Sequence, residues 1–408
     1  MPHAKEIRVT EIVPELETLA SIKVVGVGGS GNSAVNRMVE LGIRGVEFIA
    51  INTDAQALQN AKAPIKVHIG KTVTKGLGAG MDPQIGRRAA EESGEEIHAT
   101  LNNADMVFIT CGLGGGTGTG ASPIIANIAR DLGALTVAVV TKPFNFEGSQ
   151  RRLIAEQGFH DLAEKVDAII SIPNDRLLQI IDKKTSLVDA FATVDEILRQ
   201  GVQGISEIIT VPGRVNVDFN DVKAIMKDSG SALMGIGIAS GETRAADAAK
   251  AAIDSPLLEQ SIDGAKGILF TVAGNASLGM YELNEAAHII TKQADPNAKI
   301  IFGTILDESL GDEVKVTVVA TGFANDVIAE RQQSREIKSS FSSQFAKQEQ
   351  PRHETVQERQ KPASSSVFYP QDEPVIAHKP SAPQSGETKT FEEEDEIDIP
   401  TFLRKKMG

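Results

Sequence analysis

Residues 111–120 read Cys-Gly-Leu-Gly-Gly-Gly-Thr-Gly-Thr-Gly, directly after the apolar run 106–110. Six glycines in ten residues cannot pack a core. Lacking Cβ, glycine lets a backbone come close to another group and offer its N–H donors. Residues 121–132 read as a helix. A strand that ends in a glycine loop and restarts as a helix puts free N–H groups beside a positive dipole end, which suits a polyphosphate. An earlier segment, Gly26-Val-Gly28-Gly29-Ser30-Gly31-Asn32, follows the first strand-like run with G-x-G-x-x-G spacing. With Asp54 after the next strand, it would by itself fit a dinucleotide oxidoreductase. Two glycine loops on neighbouring strand ends fit one compact triphosphate better. Gly70-Lys71-Thr72 ends like a P-loop, but Ile65 stands where the opening glycine belongs, so no Walker lysine is expected. Backbone donors and Mg²⁺ must then meet the phosphate charge.

The second constellation is Asn216-Val-Asp218-Phe-Asn-Asp221. Three residues separate the two aspartates, so both face one side of a first helical turn. They could cap that helix, or they could polarise a water beside a phosphate. They lie far along the chain from both glycine loops, so one molecule need not bring the two together, and a second molecule could. The seven histidines are scattered without metal-ligand spacing, and no protein metal site is expected. Cys111 reads as a small buried residue.

These groups need a scaffold. From residue 21 to about 172, apolar runs at 22–27, 46–51, 106–110, 135–140 and 168–172 alternate with helical patterns. That alternation predicts an α/β fold: a Rossmann-like parallel sheet with ligands at the carboxyl ends of its strands. Leu187, Phe191, Val194, Leu198, Val202, Ile205 and Ile209 form one helical stripe that ends at Pro212-Gly213. An α+β unit follows, with helices near 219–227, 243–253 and 283–291 and strands near 232–239, 267–272, 300–306 and 314–320. After Phe323, polar residues and proline dominate, and disorder is expected over about 330–390. The end differs again: the acidic run 392–396, then Ile397, Ile399, Phe402 and Leu403, then Arg404-Lys405-Lys406. An adhesive end on a tether suits partner capture.

The bulk properties agree. The chain has 408 residues, 41% hydrophobic, with one cysteine and a net charge of −14. The acidic balance argues against nucleic acid or an anionic membrane as the main partner. The single cysteine suits a reducing cytosol.

Combined, these residues resemble the FtsZ branch of the tubulin/FtsZ family. Gly114-Gly-Gly-Thr-Gly-Thr-Gly120 matches the family's glycine signature, and Asn216–Asp221 matches its N-x-D-x-x-D loop. The segments starting Asn52-Thr53-Asp54, Thr141-Lys-Pro-Phe-Asn-Phe-Glu147 and Ile172-Pro-Asn-Asp175 are similar too. Asp398-Ile-Pro-Thr-Phe-Leu403 resembles the family's tail peptide. The N-terminal extension 1–20 matches no motif, and Cys111 stands where the family often has alanine or another small residue.

The resemblance implies GTP binding and hydrolysis. Gly28, Gly29, Ser30, Gly31 and Asn32 would hold the phosphates together with Gly114, Gly115, Gly116, Thr117, Gly118 and Thr119. Glu147 and Arg151 would reach the ribose, Phe191 would stack on guanine, and Asp195 would accept from its edge. Asn216, Asp218 and Asp221 of one subunit would complete the site of the next in a head-to-tail homopolymer. The implied division is an extension 1–20, a GTP-binding domain 21–185, a central helix 186–214, a C-terminal activation domain 215–323, a linker 324–390 and a partner peptide 391–408. The implied setting is a cytoplasmic ring at midcell, with adaptors such as FtsA bound through Asp398–Leu403 and the membrane reached only indirectly. Two other readings remain: a filament that does not hydrolyse GTP, and a tubulin relative with another cytoskeletal task.

Overall fold

The computed structural model describes residues 20–323 except 180, 182–183, 212, 214, 216, 256–257 and 259. The extension, Pro212, Asn216, the linker and the terminal peptide lie outside the described residues.

The first half alternates strand and helix: β1 (Ile22–Val27), α1 (Gly28–Glu40), β2 (Glu47–Asn52), α2 (Ala55–Gln59), β3 (Ile65–His68), α3 (Lys71–Thr74), α4 (Pro83–Glu92), α5 (Gly94–Leu101), β4 (Met106–Gly112), α6 (Thr117–Asp131), β5 (Leu135–Lys142), α7 (Ser149–Ala163), β6 (Ala168–Pro173) and α8 (Asn174–Leu177). β1 and β4 have almost no polar face, and both are buried on both sides. Such strands require helices above and below them. Then come α9 (Leu187–Thr210), α10 (Phe219–Met226), β7 (Gly230–Ser240), α11 (Arg244–Ile253), β8 (Gly267–Gly274), α12 (Met280–Thr291), β9 (Lys299–Leu306) and β10 (Glu313–Thr321).

The ten strands of the described residues make one sheet in the order β3-β2-β1-β4-β5-β6-β7-β10-β8-β9. Every pairing is parallel except those of β10 with β7 and β8. The join between β6 and β7 is short, running from Ala168 opposite Gly230 to Ile170 opposite Ala232. Three apolar clusters cover the sheet. One packs α1, α9 and α10 on one face, and a second packs α4–α7 on the other. A third packs α11 and α12 on β8 and β10.

α9 follows its stripe. Ser186 caps it by accepting from the Asp189 amide at 3.1 Å. Val194, Leu198, Val202 and Ile205 are buried against the sheet, each contributing about 1.5–3 kcal/mol of transfer free energy. Phe191 lies on the same stripe but is 42% exposed.

Two expectations are revised. α6 begins at Thr117, not at 121, so the second half of the glycine signature is helix. The segment Gly28–Asn32 is likewise the first turn of α1 rather than a loop.

Candidate nucleotide site

The starts of α1 and α6 converge beyond the carboxyl ends of β1 and β4. A Cβ on Gly28, whose φ is +72°, would lie 3.0 Å from the Gly118 amide nitrogen. Neither helix has a side-chain cap or an acidic residue in its first turn. Two helices of 13 and 15 residues therefore aim unsatisfied N–H groups at one place, each carrying about half a positive charge.

The glycines divide into two kinds. Nothing lies within 4 Å of a Cβ on Gly29 or Gly115, so these two border open space. Gly112 meets the Ser30 side chain, and the others meet the protein's own backbone. A Cβ would come within 2.4 Å of the Gly31 carbonyl from Gly26, and within 2.3 Å of the Thr110 carbonyl from Gly31. On Gly120 it would come within 1.9 Å of the Pro83 carbonyl, and on Gly116 within 2.9 Å of the Asp82 nitrogen. A Cβ on Gly86 would meet the Gly116 carbonyl at 2.2 Å. Gly86, Gly116 and Gly120 thus let α4 cross α6 backbone to backbone. Within the signature, Gly116 and Gly120 serve this packing, while Gly115 borders open space.

Side chains around the two turns are also engaged. Asn32 is buried, and in the amide orientation that satisfies its neighbours it donates to the Gly26 and Gly28 carbonyls at 2.8 and 3.1 Å and accepts from Asn52 at 3.1 Å. It braces the turn from within. Thr119 Oγ1 accepts from the Gly114 amide at 2.9 Å, and Thr117 Oγ1 bonds Thr53 Oγ1 at 2.6 Å.

Beside these turns lies a cavity of about 210 Å³. Ser30, Ser33, Gly112, Leu113, Thr141, Pro143, Glu147, Arg151, Asn174, Phe191, Val194 and Asp195 line it. The structure therefore brings Ser30, Glu147, Arg151, Phe191 and Asp195 together from four separate elements. Glu147 is fixed by the Phe144 amide at 2.8 Å and pairs with Arg151 Nε at 3.2 Å. Phe191 meets Phe144 edge-on, ring centroids 5.7 Å apart. Burial pushes the Asp195 carboxyl up to about 6, while the nearby Arg37 guanidinium pulls the other way. Sequence reasoning missed Asn174: it begins α8, and its buried Oδ1 has no partner among the described residues. Arg151 Nε also lacks a well-aligned acceptor. Buried polar atoms left this way call for a polar ligand or water. Asn174 lies in the quoted segment Ile172-Pro-Asn-Asp175, which was the available signal.

The carboxylates stand elsewhere. Asp218 is the N-cap of α10, its Oδ1 accepting from the Asp221 amide at 2.8 Å. The capping role is thus real, and Asp221 is left exposed. Neither residue lines the cavity. From Asp195, α9 carries the chain about 22 Å at 1.5 Å per residue to Thr210. Thr210 packs on Gly45, just ahead of β2 at the opposite edge of the sheet. The described chain therefore does not assemble the cavity and the aspartates in one place.

The other motifs resolve locally. Asp54 caps α2 by accepting from Ala57 at 3.0 Å, and is not a ribose ligand in the cavity. Lys71 pairs with Glu96 at 3.3 Å on the surface. Burial pushes the Cys111 thiol up to about 11, so it is unreactive. No group of three or more His, Cys, Asp or Glu residues suited to a metal occurs among the described residues. No described helix is long and apolar enough to cross a membrane.

Comparison with known proteins adds independent findings. Residues 21–182 match the GTPase domain of the tubulin/FtsZ family, and residues 230–324 match the FtsZ C-terminal domain. An empty FtsZ dimer from M. jannaschii is 48% identical, with 75% of this chain and 89% of that chain covered at a TM-score of 0.72. CetZ1 from Haloferax volcanii, a GDP-bound monomer, shares the fold at 21% identity and a TM-score of 0.66, covering 78% of this chain and 99% of that one. The converging helix starts, the polar cavity, the two family matches and the 48% identity together show that this chain belongs to the tubulin/FtsZ family, in its FtsZ branch.

Proposed function

We propose that the chain is a GTP-hydrolysing, self-polymerising cell-division protein whose active site is completed between two subunits. The observation that carries this reading is the separation of the polar cavity from Asp218 and Asp221 by the length of α9. The α and β phosphates would rest on the N–H groups of residues 28–32 and 114–119. Guanine would stack on Phe191 and donate to Asp195, and Glu147 with Arg151 would hold the ribose. Asn174, with its unpartnered oxygen, fits a hydroxyl or base N–H donor. Mg²⁺ fits this donor set as a nucleotide-borne ion held mainly by phosphate oxygens and waters, and bound there it offsets charge on the phosphates.

Head-to-tail stacking would bring the Asp221 carboxylate of one copy to the γ-phosphate of the next. There it would orient a water and accept its proton, with Asn216 and Asp218 positioning it. Asp218 already fixes the Asp221 backbone through its cap. Such a contact does not close on itself and generates a filament. Functionally, residues 21–185 then bind, the helix 186–214 connects and residues 215–323 activate. Residues 324–390 tether the terminal peptide at 391–408, whose Asp398–Leu403 binds adaptors such as FtsA at a cytoplasmic midcell ring. That the neighbouring structures include an FtsZ dimer and a CetZ2 protofilament supports self-association.

The test is GTP turnover per molecule against protein concentration, paired with sedimentation in GTP and in GDP. The specific rate is expected to rise with concentration and then level off, with pelleting in GTP alone. A rate that is flat down to strictly monomeric protein would refute the shared site.

A further inference from the structure

Two walls of the cavity come from separate stretches of chain. Glu147 ends a single 3₁₀ turn, Asn145–Glu147, between β5 and α7, and Asn174 opens α8. None of the three turn residues is buried, and Gly148, at φ +99°, breaks the turn from α7 in a conformation that favours glycine. A turn this short does not hold itself, and its leading amides need acceptors from elsewhere. The Phe144 amide donates to Glu147 Oε1 at 2.8 Å, and the Asn145 amide donates to Asp175 Oδ1 at 3.0 Å. Asp175 lies 30 residues further along the chain, directly after Asn174. Its carboxylate therefore ties the Glu147 wall to the Asn174 wall. Arg152 Nη1 also donates to Asn145 Oδ1, at 3.1 Å. Glu147 is itself aimed: one carboxylate oxygen takes the Phe144 amide and the other pairs with Arg151 Nε at 3.2 Å. A carboxylate has about four lone-pair sites, so sites remain for hydroxyl donors.

We propose that Asp175 is a positioning residue for the sugar end of the cavity, and that its hold on Asn145 sets a preference for a ribonucleotide over a 2′-deoxynucleotide. The inference rests on the reading of Glu147 as a ribose ligand. Neighbouring 2′- and 3′-hydroxyls can both donate to one carboxylate, but only when it is held within about half an ångström of the productive place. Residues that touch no ligand supply that hold. With the Asn145 amide released, the turn has to be ordered each time a sugar binds, and affinity falls by that cost. The Asn145 side of the bond is exposed, so water takes the place of the lost acceptor and the fold survives. The phosphates would rest on the starts of α1 and α6, which the turn does not build, so the loss stays at the sugar. A ribose offers Glu147 two hydroxyls and a 2′-deoxyribose one, so the ribonucleotide loses more.

Calorimetric titration of the full chain with GDP and with 2′-deoxy-GDP tests the proposal. The parent is expected to prefer GDP by about tenfold, the worth of one hydrogen bond to a charged group. Asp175→Ala is expected to weaken GDP about fivefold and 2′-deoxy-GDP by less than about twofold, so that little preference remains. Asp175→Asn keeps an oxygen acceptor in the same place and is expected to restore the preference. An Asp175→Ala protein with the parental preference would overturn the proposal. So would an equal loss for both nucleotides, the mark of a general disturbance, or an Asp175→Asn protein no better than the alanine variant. A parent that binds both nucleotides alike would refute the ribose reading of Glu147, and this inference with it. Glu147→Ala checks that reading separately, because it is expected to abolish the preference whatever Asp175 does. Turnover is not part of the readout, so none of these results bears on the shared site.

Discussion

Gly120→Ala and Gly115→Ala place the same methyl group in one glycine-rich stretch, yet the structure assigns them opposite consequences. At Gly120 the new Cβ would meet the Pro83 carbonyl oxygen at 1.9 Å and the Arg87 nitrogen at 2.7 Å. Both are backbone atoms of α4, so no rotamer change relieves the clash, and the helices must part by about an ångström. Overpacking of this sort costs about 3 kcal/mol at the upper end of its range. Alanine in place of glycine inside a helix returns about 1 kcal/mol. The net loss of about 2 kcal/mol lowers Tm by roughly 4–8 °C in a domain of this size. Gly115 has nothing within 4 Å, so its variant should melt within about 1 °C of the parent, on the small effect expected at an open site. Nucleotide affinity should fall instead, because the methyl projects into the space that the phosphates would occupy. Scanning calorimetry without nucleotide, followed by titration with GDP, separates the two outcomes. A Gly120→Ala protein with the parental Tm and weakened GDP binding would show that Gly120 serves the ligand, and would refute the division of the glycines.

Three further outcomes are expected. In the proposed site Asp195 would accept from guanine only as the carboxylate; since burial pushes its carboxyl up to about 6, GTP affinity should hold above that pH and fall by up to tenfold per unit below it, and Asp195→Asn should flatten the profile measured by fluorescence titration. Asp221→Ala should retain GTP binding while turnover drops at least a hundredfold, the usual scale of a lost general base, and phosphate release at saturating GTP checks it. Deleting residues 391–408 should leave turnover intact and abolish adaptor binding in a pull-down; lost turnover would mean that the tail has another role.

The strands of the sheet were legible because each is a dense aliphatic run bounded by glycine or polar turns, and 22–27 coincides with β1. β3 was not, since Ile-Lys-Val-His is four residues with two polar ones. The signal for α4 was present in Asp82-Pro83, a cap followed by proline at the first helical position. The start of α6 was hidden because Thr-Gly-Thr-Gly is poor helix sequence; tertiary packing against α4 overrides propensity there. Spacing identified Asp218 as a cap but could not distinguish capping from chemistry, because the same side chain can do both. Asn174 escaped notice because an unpaired oxygen is a property of its surroundings, which a linear string does not carry. Phe191 sits on an apolar stripe like any core residue, and only its exposure at the cavity distinguishes it.

The backbone-on-backbone crossing of α4 and α6 leaves no compliant material between them. Side chains elsewhere absorb small shifts by changing rotamer, but carbonyls and amides in direct contact have no such slack. Any displacement of the first turn of α6 would therefore be passed to α4. The segment just ahead of α4 carries Leu77 and Met81, 86% and 45% exposed, and would be displaced with it. A strain set up inside the molecule would thereby reach the surface at these two apolar side chains.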